Sequence, residues 1–166
     1  MKGWAIVLAA MLAVAAAGRK KANKKLPGLD GTKYVIIEEG KKDGPVVQYG
    51  DRVIVEATIE RAKDDSKIWS TRDGWPHVPF NFLAGKETGL PFTGKGSKWK
   101  GFKGFEQGVL GMKLGEKRNL TVQPIDGYGE RGFGFGVWKI PENCVINVEL
   151  ETVEVKYQRL DAKVEL

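Results

Sequence analysis

The sequence predicts an α+β domain, an antiparallel sheet of about five strands with one short helix packed on it, and three patterns carry that prediction. Arg52 to Ile59 alternates cleanly, with Val53, Val55, Ala57 and Ile59 on one face, the period of a half-buried strand. Phe105, Val109 and Met112 recur at i, i+4 and i+7, one apolar stripe on about two turns of helix that Gly115 would end. Cys144, Ile146, Val148 and Leu150 share one face of a closing strand.

The remaining elements follow in chain order. Tyr34-Val35-Ile36-Ile37 is short and β-branched, and Tyr49-Gly50-Asp51 supplies a turn before the long strand. Lys63-Asp64-Asp65-Ser66 reads as a polar turn, which makes the acidic pair turn chemistry. Ile68-Trp69-Ser70-Thr71 and Phe80-Asn81-Phe82 then read as broken strand pieces around the loop Asp73 to Pro79. After the helix, Leu120 and Val122 alternate with polar residues until Pro124 stops the strand. In Asp126-Gly127-Tyr128-Gly129, glycines flank an aromatic, and a sharp turn there projects one tyrosine inward. The apolar parity of the closing strand shifts between Leu150 and Val153, which predicts a bulge near Thr152.

A chain of 166 residues suits one domain. Met1-Lys2, the apolar run Trp4 to Ala17 and the small residues ending at Gly18 have the three regions of a secretory signal peptide; an uncleaved anchor or a buried helix is the alternative. The expected division is a signal peptide over 1–18, a basic flexible linker over 19–32, the folded domain over 33–155 and a C-terminal tail over 156–166. The formal charge of +6 belongs to the amino terminus, since six bases precede residue 26 with no acid before Asp30, and the other 21 bases meet 21 acids. Lys163-Val164-Glu165-Leu166 resembles a KDEL-type retrieval signal with valine in place of aspartate, which together with a signal peptide points to the lumen of the endoplasmic reticulum. Membrane contact after signal cleavage is not expected.

Composition narrows the chemistry. One cysteine excludes an intramolecular disulfide, and Cys144 reads as a small buried hydrophobe on the last strand. One histidine, His77, sits in a proline-flanked loop without a nucleophile context and reads as a surface-loop residue. No metal is expected, because a single histidine and a single cysteine cannot supply the usual zinc set and the carboxylates lack calcium-loop spacing. Gly132 to Gly136 is not a phosphate loop, since no helix opens after it. The stretch Gly94 to Gly104 interleaves Lys95, Lys98, Lys100 and Lys103 with Trp99 and Phe102. It reads first as a glycine-rich loop solubilised by lysines; stacking on single-stranded nucleic acid is the alternative, and nucleic acid is not an expected partner because the rest of the domain has no charge excess.

Leu110-Gly111-Met112-Lys113-Leu114-Gly115-Glu116-Lys117-Arg118, then Tyr128-Gly129, Ile140-Pro141-Glu142-Asn143 and Val148-Glu149-Leu150, resemble the C-terminal half of an FKBP-type peptidylprolyl isomerase. Tyr49-Gly50-Asp51, Ser70-Thr71-Arg72-Asp73 and Pro79-Phe80-Asn81-Phe82 extend the resemblance over about residues 33 to 155. It implies a twisted antiparallel sheet wrapped over a short helix, an apolar pocket for a proline side chain, proline-containing polypeptides as substrates, no cofactor, and a monomer. By the same resemblance Tyr128 is the pocket tyrosine whose hydroxyl binds a substrate carbonyl, Phe80 an aromatic wall and Ile140 a wall residue. Phe102 stands where the family has an aliphatic residue whose backbone N–H binds ligand, Phe105 where it has the tryptophan of the pocket floor, and Ile146 where it has a phenylalanine. Ala57 replaces a pocket tyrosine, and Ile68-Trp69 replaces Phe-Asp, which removes the pocket carboxylate. These departures imply reduced turnover, with a weakly catalytic protein-binding module or chaperone as the alternative. An insertion over about residues 86–103 would lie beside the pocket.

Overall fold

The structure is a computed structural model and describes residues 23–73, 77–86, 101–134, 136 and 139–157. Its strands are β1 (Lys24–Lys25), β2 (Lys33–Glu38), β3 (Arg52–Arg61), β4 (Lys67–Ser70), β5 (Phe80–Leu83), β6 (Lys117–Val122) and β7 (Ile146–Lys156), with one helix, α1 (Lys103–Gly108), between β5 and β6. All pairings are antiparallel, in the order β1-β2-β6-β7-β3, and β4 and β5 both pair with β3 along its far edge. The sheet is thus six positions wide, with its last position shared by β4 and β5, the two pieces that the sequence suggested.

The alternating strands bury the faces expected of them. Val53, Val55, Ala57 and Ile59 of β3, Leu120 and Val122 of β6, and Ile146, Val148 and Leu150 of β7 are all at most 1% exposed and form one core with Phe105, Val109 and Met112. The bulge in β7 falls at Val153: Val55 pairs with Thr152 and Ile54 with Glu154, so Val153 has no opposite number and turns outward. Asp64 accepts from the Ser66 N–H and hydroxyl, the turn chemistry read from the acidic pair.

Three expectations are corrected. The helix has six residues and stops well before Gly115. Gly111, at φ +72°, takes a left-handed conformation that ends the turn, and its N–H donates to the Val47 carbonyl instead of continuing a helix. Val109 and Met112 keep their buried places from the turn that follows α1. Residues 23–32, read as the end of a flexible linker, lie on the domain: Lys24 and Lys25 pair with Tyr34 and Lys33, and Leu26 and Thr32 are buried. Lys24 and Lys25 are polar because they sit on the sheet edge, while Leu26 and Leu29 pack on the core and residues 30–32 donate to the Asp126 carboxylate. Cys144 precedes β7 and is half-buried, in a groove of about 560 Å³ that it lines with Arg61, Lys63, Pro141 and Asn143. Burial pushes its thiol up, partly opposed by the nearby Arg61, so it is no activated thiolate.

Helix α1 lies on the sheet against β6. A Cβ on Gly108 would come within 2.5 Å of the Leu120 side chain, so the absence of a side chain there is what lets the helix approach. Arg118, in the inward row of β6 between Glu116 and Leu120, is only 3% exposed. Its Nε donates to Glu116 Oε1 at 2.5 Å, its Nη1 donates to the carbonyls of Gly108 and Leu110 at 3.1 and 2.8 Å, and its guanidinium lies 4.3 Å from the Tyr34 ring centre. The carbonyls left unpaired at the end of α1 are therefore satisfied by a buried cation, which pins the helix end to the sheet.

Candidate functional site

The sheet edge, the helix and the 124–133 turn deliver aromatic side chains to one place. Val53 pairs with Phe82, Val55 with Phe80 and Ile59 with Trp69, and since directly opposed residues share a face, all three aromatics face the core side of the sheet. Ile68 is the extra residue of a bulge between Lys67 and Trp69 and is buried beside them. Phe105 comes from the first turn of α1, and Phe102 from the extended residue that precedes it. Tyr128 follows a 3-10 turn over Pro124–Asp126, and Phe133 is set by a two-bond bridge with Ile140, in which each N–H donates to the other's carbonyl at 2.9 and 2.7 Å.

The result is one continuous row. Trp69 stacks on Phe80 at 4.6 Å between ring centres, Phe80 meets Phe105 edge-on at 5.5 Å, and Phe105 meets Phe102 at 5.6 Å. Phe102 meets Tyr128 at 4.9 Å, and Tyr128 stacks on Phe133 at 4.8 Å. Phe82 closes against Phe105 at 5.2 Å. Phe80, Phe102, Phe105 and Ile140 are buried, whereas Trp69 at one end and Tyr128 and Phe133 at the other keep part of their surface exposed. Of the residues marked from sequence, Tyr128, Phe80, Phe102, Phe105 and Trp69 thus come together directly, and Ile140 is bridged to Phe133 at the end of the row. Ala57, Ile68 and Ile146 lie in the hydrophobic core, Ile146 on β7 opposite Val122 and Arg61. The basic residues Lys95, Lys98 and Lys100 and the terminal segments 1–18 and 163–166 lie outside the described residues.

Burial, reinforced by the charge of Glu106, pushes the Tyr128 hydroxyl well above the ordinary phenol range. It therefore stays a neutral O–H donor across the working pH range of proteins. The turn that carries it is anchored by Asp126, a fully buried carboxylate. Asp126 accepts from the N–H groups of Asp30, Gly31 and Thr32 at 3.1–3.2 Å and from the Thr32 hydroxyl at 2.7 Å, and Lys103 Nζ stands 3.9 Å away. On the opposite face of the sheet, Glu56 accepts from the Thr71 hydroxyl and lies 2.8 Å from His77 Nε2, so the exposed His77 is tethered to β3. Burial raises the Glu56 pKa, but the bonds from His77 and Thr71 and the charges of His77 and Arg72 outweigh it and hold the carboxyl below its ordinary value.

Sequence reasoning missed Phe133, Asp126 and the Glu56–His77 contact. Phe133 had a signal, an aromatic between glycines; Asp126 and Glu56 had none, because their partners lie tens of residues away.

Among the described residues there is no cluster of three or more metal-ligating side chains. A row of aromatics that includes a neutral phenolic donor, Tyr128, thus lies where an antiparallel sheet packs against a short helix. The family profile described as FKBP-type peptidyl-prolyl cis-trans isomerase matches residues 44–153. The chain is similar to a peptidyl-prolyl cis-trans isomerase FKBP12 of Vicia faba, 33% identical over 128 residues, covering 76% of this chain and 99% of that protein. It is also similar to an FK506-binding protein 1A of Neurospora crassa, 40% identical over 133 residues, covering 79% and 93% of the two chains. With an FK506-binding protein 2 of Emericella nidulans it is 37% identical over 102 residues, covering 61% and 73%. The chain belongs to the FKBP-type peptidyl-prolyl cis-trans isomerases, whose substrates are proline-containing polypeptides.

Proposed function

We propose that the aromatic row from Trp69 to Tyr128 is the proline site, and that turnover there is lower than in relatives that retain a tyrosine at the position of Ala57 and a carboxylate at that of Trp69. Uncatalysed rotation about an Xaa-Pro bond takes tens of seconds or longer, because the planar amide must lose its resonance. A catalyst has only to bind the twisted amide better than the planar one, which requires no covalent step and no cofactor. In this reading Phe80, Phe102 and Phe105 hold the proline ring and keep water from it. The Tyr128 hydroxyl donates to a substrate carbonyl, and its raised pKa keeps that proton in place. The single observation that carries the reading is the unbroken ring-to-ring contact from Trp69 to Tyr128.

The reduction follows from chemistry: an alanine offers no hydroxyl, and an indole has one N–H donor and no acceptor. A protease-coupled assay on peptides with varied residues before proline is expected to give a rate above the buffer blank, with a kcat below that of FKBP12-type relatives. A rate equal to the blank on every peptide would sink catalysis and leave the second reading, a binding module, which the same two residues favour.

We further propose that the protein works in the lumen of the endoplasmic reticulum on secreted chains. The support is the signal-like run before Gly18 and the Lys163-Val164-Glu165-Leu166 terminus. Deleting residues 163–166 should send the protein to the medium; unchanged retention would count against the signal.

A further inference from the structure

Along the inner face of β3, Val55, Ala57 and Ile59 are buried in succession, and the middle one carries only a methyl group. The residues opposite its neighbours are both large aromatics: Phe80 opposite Val55 and Trp69 opposite Ile59. Four residues of strand separate those two register positions, about 13 Å. Yet the two rings stack face to face at 4.6 Å with 13° between their planes. Rings anchored so far apart can meet only by leaning toward each other along the edge, and the point between their anchors is Ala57. The edge is held there by Thr71, whose N–H donates to the Ala57 carbonyl at 2.9 Å and whose hydroxyl accepts from the Ala57 N–H at 3.0 Å.

We propose that Ala57 and Trp69 are a matched pair, in which the indole of Trp69 fills the space above the Ala57 methyl and makes, with Phe80, the end wall of the site. The volume of this wall comes from the edge strand β4 instead of the central strand β3. Ala57 is therefore a size requirement and not merely a missing group, and Trp69 contributes to holding the proline segment rather than to the rotation step. Any larger side chain at 57 has to displace the indole from Phe80. The role assigned to the wall in substrate binding rests on the isomerase reading; the pairing itself does not.

A double-variant cycle tests both parts. Ala57→Phe, by overpacking, and Trp69→Ala, by opening a cavity, should each lower the melting temperature by about 5 °C or more. Together they should lose less than the sum of the two, because the phenyl ring occupies the vacated space. Trp69→Ala should raise KM about fivefold with kcat within about twofold, the signature of lost uniform binding. Additive thermal losses in the double variant would overturn the pairing, and a loss falling mainly on kcat would overturn the wall's role. If either single variant does not fold, Ala57→Val and Trp69→Phe carry the same signs with smaller volume changes. Absence of turnover in the wild-type protein would strike the isomerase reading alone, since the thermal cycle still reports the pairing.

Discussion

Replacing Asp126 by alanine should cost about as much stability as truncating a buried ring of the aromatic row, and the size follows from its partners. The carboxylate is 0% exposed and accepts four hydrogen bonds, three of them from consecutive backbone N–H groups of residues 30–32. Asp30 and Gly31 are partly open, so water can replace the lost acceptor for them at small cost. Thr32 is 1% exposed, and Asp126→Ala leaves both its N–H and its hydroxyl without that acceptor. Each orphaned buried donor costs about 1–3 kcal/mol, and with partial rehydration of the other two the total is about 3–5 kcal/mol. Against a typical domain stability of about 5–15 kcal/mol this is a large fraction. Urea unfolding followed by far-UV circular dichroism measures it, with an unchanged m-value as the check that compactness is preserved. Asp126→Asn keeps one acceptor but turns a donor toward the backbone N–H groups, for a loss of about 2 kcal/mol, and Thr32→Val loses the hydroxyl bond alone, about 1 kcal/mol. The reasoning is refuted if Asp126→Ala costs under about 1 kcal/mol, since the buried bonds would then carry no net stability.

Three further outcomes follow from the same geometry. Arg118→Met strands the buried Glu116 carboxylate and the carbonyls at the end of α1, so it should cost about 3–5 kcal/mol in urea, partly recovered by adding Glu116→Gln; full additivity would refute the pairing. Tyr128→Phe should lower kcat/KM about tenfold or more with little change in melting temperature, and the wild-type rate should show no phenolate limb up to about pH 10, because the hydroxyl pKa is raised. An unchanged rate in Tyr128→Phe would remove the hydroxyl from the site. Glu56, its folded pKa held below the ordinary 4.5, contributes stability that is present above that value and lost as pH falls through the folded pKa. The stability difference between wild type and His77→Ala should therefore shrink as pH drops below about 4.5, and a difference independent of pH from 3 to 6 would contradict the tether.

The strands of this protein are legible in its sequence because side chains on a strand alternate faces, so Val53, Val55, Ala57 and Ile59 declare a buried face without reference to anything else. The bulge at Val153 is legible for the same reason, since a single extra residue reverses the parity that follows it. Several site aromatics were legible through motif order, which placed Tyr128 in its turn and Phe80 on the edge. Periodicity assigns polar residues outward, however, and Arg118, Glu116 and Asp126 do the opposite. Their burial depends on partners that no local window contains, as with Asp126 and the backbone of residues 30–32, more than ninety positions apart. The length of α1 was likewise decided by tertiary contact, with Val47 taking the hydrogen bonds that would have extended the turn. The stacking of Trp69 on Phe80 belongs to the same class, because two pieces of one broken edge strand must first be laid on β3 before their rings can meet. Local pattern thus determined the longer strands and which face of each is apolar, since those depend on side-chain direction alone, whereas the polar pair Lys24–Lys25 became a strand only through its partner β2. Only the folded chain decided where charge is buried and which rings touch, since both require groups distant in sequence to arrive at one point with the right geometry.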